Sequence, residues 1–317
     1  MTTRTLSTPS KRRGASQTSR LPLTVERSGW LQYAHPVVVA FCAALGGMFF
    51  WAYWPVLESL AYDWRTNDDY SVGALVPLAV AYVAWDRRRA LSQCAVNPCL
   101  WGGAIMLSAI ALHIFGLLFF FRSAQRYSMV LTVAGLLLLV GGRHLFRRVF
   151  WLLALLFLMV PLPGQVHTLI AGPLQNLATR SAFVALELLG VVVVREGNVL
   201  ILEGTTPIAV AEACSGLRLL TAFMVVTCVM ALIVRRPRWQ KTALVLSSIP
   251  VAVVCNLIRL TATALVFTSY GNEAAERFFH DFAGLLMMPM ALALLYAELR
   301  LFDLLVNTDE VLSIEVA

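Results

Sequence analysis

Long apolar runs recur between residues 36 and 302, and a chain with that pattern has few folds open to it. Leu136–Val140, Trp151–Val160 and Met224–Val234 contain no charged residue. Inside hydrocarbon every backbone N–H and C=O must find a partner within the protein, so a spanning segment is a helix or a strand of a closed barrel. Barrel strands alternate apolar and polar residues, and these runs do not. The composition agrees: 59% hydrophobic and 14% charged residues, with a mean hydropathy of +0.75. Soluble domains carry about 25% charged residues. The expected fold class is an all-α polytopic membrane protein, which excludes a soluble enzyme, a disordered scaffold and an outer-membrane barrel.

Eight spans are expected, near 36–57, 70–85, 100–121, 127–142, 147–162, 212–234, 242–267 and 280–302. Basic clusters follow the second, fourth and sixth: Arg87–Arg89, Arg143 with Arg147 and Arg148, and Arg235, Arg236, Arg238 and Lys241. With the N-terminus inside, all three fall on the cytoplasmic side, as the positive-inside rule requires. Residues 1–35 hold six Lys and Arg among Ser, Thr and Pro, and read as a disordered basic cytoplasmic tail. Residues 36–302 form the transmembrane domain, and 303–317 a short cytoplasmic tail. The net charge of +7 follows this clustering beside apolar segments, so no nucleic-acid partner is expected, and membrane lipid is.

The stretch 163–211 fits none of the spans. A crossing here would put the Arg235 cluster outside, so the segment is read as an outer-face insertion. Residues 173–189 are expected to form an amphipathic helix on or dipping into the membrane. Val191–Val194, Val199–Glu203 and Ile208–Ala211 are short β-prone runs separated by Glu196-Gly197-Asn198 and Gly204-Thr205-Thr206-Pro207. Those separators are turn signals, and a small β-meander is expected.

Ionisable residues within a membrane are costly and mark functional sites. Cys214 lies where the insertion enters the sixth span, Arg259 within the seventh, and His280 at the outer end of the eighth. Arg259 is eight residues short of Phe267, about 12 Å below the outer boundary at 1.5 Å per residue. A thiol, a guanidinium and an imidazole from three distant helices thus reach one leaflet. These are the parts of an acyl-transfer site. His167, in the outer insertion, is a rival for the imidazole role. Glu212 is ambiguous between pairing with Arg218 or Arg259 and placing a basic group of a substrate. Asn256 precedes Arg259 by three residues and shares its helical face, where it can hydrogen-bond the guanidinium. Ser215 and Gly216 serve local geometry, Gly216 allowing close backbone approach.

The segment Glu212–Arg218, reading EACSGLR, resembles the catalytic cysteine motif of the exosortase/archaeosortase family. The segments NLIRLTAT and HDFAGLL resemble that family's arginine and histidine motifs, in the same order. Asp69-Tyr70-Ser71-Val72-Gly73 followed by Pro77, the Pro161-x-Pro163 pair and Leu174-Gln175 also match, so the resemblance runs over roughly residues 50–300. Val72 departs from it, since many members carry His in a YSHG-like sequence; substrate choice is where a difference is expected.

The resemblance implies a cysteine peptidase or transpeptidase of the bacterial inner membrane, with both termini cytoplasmic and its site at the outer leaflet. Its substrates are exported proteins ending in a sorting signal: a short motif such as Pro-Glu-Pro, a transmembrane helix and a basic tail. Cys214 is then the nucleophile, His280 the general acid and base, and Arg259 the holder of the oxyanion or substrate carbonyl. Arg218, four residues beyond Cys214, is expected to help lower the thiol pKa. No metal or cofactor is expected: there is no H-E-x-x-H, the five histidines are scattered, and Cys94 and Cys99 have no nearby His. Two other classes stay open, a transporter and a non-enzymatic assembly protein for surface polysaccharide export. Both would tolerate Cys214→Ala.

Overall fold

The structure is a computed structural model that describes residues 36–94, 96–202, 206–209, 216–271 and 284–305. Its apolar runs are helices. The order is α1 (Pro36–Thr66), a 3-10 turn (Asp68–Ala74), α2 (Leu75–Asp86), α3 (Arg88–Ser92), α4 (Trp101–Leu118), α5 (Arg122–Leu136) and α6 (Gly142–Leu156). Then follow α7 (Gly164–Leu188), a small sheet, α8 (Leu217–Ile233), α9 (Arg238–Tyr270) and α10 (Gly284–Leu305). Three helical stretches among the described residues are long and apolar enough to cross a bilayer by length and composition: Trp101–Leu118, Arg122–Met159 and Arg238–Tyr270.

The middle one is not a single rod. A π-turn (Leu137–Gly141) closes α5, and Gly142 takes φ +80 with ψ −178. The chain reverses there. The Tyr127 and Phe157 rings stack at 5.9 Å, although thirty residues of straight helix would hold them about 45 Å apart. Met129 and Val130 likewise share a core with Leu155, Met159 and Val160. The two arms are antiparallel, and each is about 27–30 Å long, enough for the hydrocarbon core. A side chain at position 142 would overlap the carbonyl of Asn97, which runs alongside, so only glycine fits this reversal. Arg143, Arg147 and Arg148, the cluster expected after the fourth span, are therefore in the first turns of α6.

The basic clusters gather at one end of the bundle. Arg87 at the end of α2 donates to the Leu232 carbonyl at the end of α8. Arg148 donates to the Ala90 carbonyl at 2.6 Å, and Arg236 pairs with Asp303 near the end of α10. The Arg236 contact holds the Asp303 carboxyl below its ordinary range. Cations beside the last carbonyls of a helix are favourably placed against its dipole.

The opposite end carries the 3-10 turn and the sheet. Arg126 at the start of α5, only 4% exposed, pairs with Asp63 at the end of α1 at 2.7 Å and donates to Ser59 Oγ at 2.8 Å. An unpaired buried charge costs several kcal/mol, so this pair locks α1 against α5. It thereby fixes the base of the 3-10 turn that begins five residues later. Trp64 Nε1 donates to the Met159 carbonyl at 3.2 Å and ties the same corner to the end of α6.

The insertion starts with a longer helix than the sequence suggests, since α7 already begins at Gly164, directly after Pro161-Leu162-Pro163. Strands β1 (Val193–Glu196), β2 (Val199–Leu202) and β3 (Thr206–Ala209) form an antiparallel sheet in the order β1-β2-β3, with Val193 opposite Leu202 and Leu202 opposite Thr206. Its buried face, Val193, Leu200 and Leu202, packs with Ala178, Ala182 and Leu186 of α7 and Leu260 and Ala264 of α9. Small residues at the α7 positions let the helix lie close against α9. The sheet is thus seated on the half of α9 that carries Arg259.

Candidate functional site

The site grows from the junction where the chain enters α8. Gly216 caps the helix in the left-handed region, φ +85 and ψ 4, and its carbonyl accepts the first helical bond from the Leu220 N–H at 2.9 Å. A Cβ there would stand 3.0 Å from Cγ and Nδ2 of Asn256, so the glycine is required both by its backbone and by the side chain pressed against it. Asn256 is 2% exposed. Its Oδ1 accepts a hydrogen bond from Nη2 of Arg259 at 2.8 Å, and Arg259 is itself 8% exposed. Three positions along α9 put both side chains on one face. Gly216, Asn256 and Arg259 therefore form a continuous contact from the start of α8 to a buried guanidinium.

Among the expected site residues, these three are brought together. Arg218 is on the exposed side of the first turn of α8, its carbonyl accepting from Thr221 Oγ1 at 2.9 Å. Glu212, Cys214, Ser215 and His280 lie outside the described residues. His167, in the first turn of α7, has Nε2 3.8 Å from Oδ2 of Asp69, and the Tyr70 ring meets its ring edge-on at 6.0 Å.

A cavity of about 190 Å³ lies between the 3-10 turn, the Phe157–Leu162 segment and the first two turns of α8. Val72, Met159, Pro161, Leu217 and Leu220 line it, with Asp69 and Tyr70 on its polar side. A second crevice, between α7, α8 and α9 and touching Gly216 and Asn256, has a volume of only about 10 Å³, room for roughly one water. Among the described residues no group of three or more His, Cys, Asp or Glu is placed to hold a metal ion. Cys94, Cys99, Cys228 and Cys255 are free thiols.

Sequence reasoning did not single out Arg126, which is buried like Arg259 but sits at the head of a helix, where a basic residue ordinarily reads as interfacial. Nor did it join Asp69 to His167. They are 98 positions apart, and only the folded chain brings them into contact.

No curated protein and no solved structure matches the chain. Residues 64–297 match the family described as transmembrane exosortase, a span that includes the α8 entry, the Asn256–Arg259 pair and the cavity. With well over half of its length matched, the chain belongs to the transmembrane exosortase family.

Proposed function

We propose that the chain is a membrane-embedded cysteine peptidase, acting chiefly as a transpeptidase, on exported proteins that end in a motif, a transmembrane helix and a basic tail. Membership of the exosortase family implies a role in cleaving or sorting such proteins. The observation that carries the mechanism is the buried contact from Gly216 through Asn256 to Arg259. Two peptide units separate Cys214 from Gly216, and that length of chain reaches at most about 7 Å. The register of α9 against α10 supports the third member. Ser247 Oγ donates to Glu298 Oε2 at 2.6 Å. Counting up α9 from Ser247 to Arg259 and back along α10 from Glu298 to Gly284 covers about 18 and 21 Å. Gly284, four residues after His280, thus comes to about the height of Arg259.

In this reading the Cys214 thiolate attacks the scissile carbonyl, and the Arg259 guanidinium receives the charge developing on oxygen. His280 protonates the departing amine as the C–N bond breaks, leaving an acyl group on sulfur. His280 then takes a proton from the incoming amine, hydroxyl or water, which attacks the thioester and frees the thiolate. Asn256 accepts a hydrogen bond from Arg259 and is assigned here as a positioning residue that holds the guanidinium in place. Active-site occupancy by the thioester is the direct test. Membranes carrying the protein and a cleaved substrate should yield a substrate–enzyme adduct released by hydroxylamine and absent from Cys214→Ser. An adduct that forms equally on Cys214→Ser would contradict the nucleophile assignment.

A further inference from the structure

Resting on the peptidase reading, we infer that the cavity beside α8 is a specificity subsite that takes an uncharged apolar side chain from a substrate residue flanking the scissile bond. One wall of the cavity, Leu217 and Leu220, begins one residue after Gly216, so the cavity opens directly beside the α8 entry. The proposed pose holds the scissile carbonyl between that entry and Arg259 and sends a flanking side chain into the cavity past Leu217 and Leu220. At about 190 Å³ the cavity is larger than the dry cavity of about 150 Å³ that suffices for benzene. It therefore accepts a side chain of aliphatic or prolyl size, and an indole is the tightest fit among natural side chains.

Chemistry narrows the occupant further. The lining is apolar apart from the edge formed by Asp69, Tyr70 and Thr221. A charged side chain entering the apolar part would be desolvated without a counter-ion. An acidic one would also face the Asp69 carboxylate, which has the imidazole of His167 3.8 Å away. Val72 lies on the turn side, packed against both the α1/α5/α6 core and the α8/α9 core, so its size sets the depth available.

The test uses the full-length enzyme in its native membrane and one exported host protein as reporter. That reporter must lose its C-terminal helix in the wild type and keep it in Cys214→Ser. Each residue flanking the cut is changed in turn to Ala, Leu, Trp and Asp, and the cut fraction is measured with wild type, Val72→Ala and Val72→Phe. One flanking position should accept Ala and Leu and lose at least tenfold with Trp and Asp. Val72→Ala should recover Trp severalfold, and Val72→Phe should shift the preference from Leu to Ala. Should Val72→Phe accumulate poorly, Thr221→Leu narrows the same cavity, and Val72→Ala still reports. An unchanged size ranking in these variants, with cleavage still dependent on Cys214, overturns the subsite and leaves the peptidase standing. If no exported protein meets that reporter requirement, with Cys214→Ser folded and present in the membrane, the peptidase reading falls and the subsite with it.

Discussion

Gly216 is the residue on which most depends, because two independent constraints meet at one Cα. The left-handed conformation costs a non-glycine residue about 1–2 kcal/mol, and the added methyl would press on Asn256 at 3.0 Å. Gly216→Ala is therefore expected to lower processing by more than it lowers the amount of folded protein. Quantitative immunoblotting beside C-terminal peptide analysis separates the two; a loss that merely tracks abundance would refute the positional argument. At Arg259 the expected effect is larger. Arg259→Ala should reduce the rate by about 10²–10³, the usual loss for a missing oxyanion donor. Asn256→Ala should cost less, and mainly in turnover rather than in substrate binding, because the guanidinium remains but is no longer fixed. A dead Asn256→Ala with a tolerant Arg259→Ala would reverse these roles. The Asn256–Arg259 contact was legible in the sequence, since helical spacing alone predicts it. The part of Gly216 was only half legible: close approach could be expected, whereas its left-handed backbone depends on where α8 begins.

Helices and their boundaries follow different physics. An apolar run announces a helix through its composition, and α4, α8 and α9 occupy the runs that imply them. The reversal between α5 and α6 falls where the expected spans 127–142 and 147–162 divide; what the sequence does not announce is that it needs no loop. A single glycine at φ +80, set against the Asn97 carbonyl, turns the chain while helix continues on both sides. Gly142→Ala should accordingly be among the most damaging single-methyl additions, seen as loss of membrane-inserted protein or a markedly lower melting temperature in detergent. Normal accumulation and melting would show that the hairpin does not need this backbone. The Arg126–Asp63 pair makes a second prediction for the elements. Removing one partner of a buried pair costs about 3–5 kcal/mol, so Arg126→Ala should destabilise strongly. A Lys at the same position, with the charge but not the two-pronged reach to Asp63 and Ser59, should fall between. Equal stability of all three proteins would mean that the pair is not what fastens α1 to α5.

For the molecule as a whole, the charge pattern and the folded bundle speak to the same axis. Arg87, Arg148 and Arg236 meet helix ends at one pole. The sheet and the 3-10 turn lie toward the other, beside the half of α9 that carries Arg259. We propose, from the positive-inside rule, that the basic pole is cytoplasmic and that Arg259 and the cavity face outward. Single cysteines introduced near Arg143 and near Gly197, in a background lacking the native thiols, should be labelled by a membrane-impermeant maleimide only at Gly197 in intact spheroplasts. Labelling at Arg143 alone would invert the topology. That proposed orientation rests on charge counts, which need no fold. The sequence could not reveal the cavity, whose walls come from four segments up to 156 positions apart.

The most direct measurement is C-terminal peptide mass spectrometry of envelope proteins from the native host, comparing wild type with Cys214→Ser at matched expression. The account predicts a set of exported proteins that lose their C-terminal helix only in the wild type, each ending at a common motif and carrying any acceptor as added mass. Identical C-termini in both strains, with the variant protein folded and present in the membrane, would contradict it.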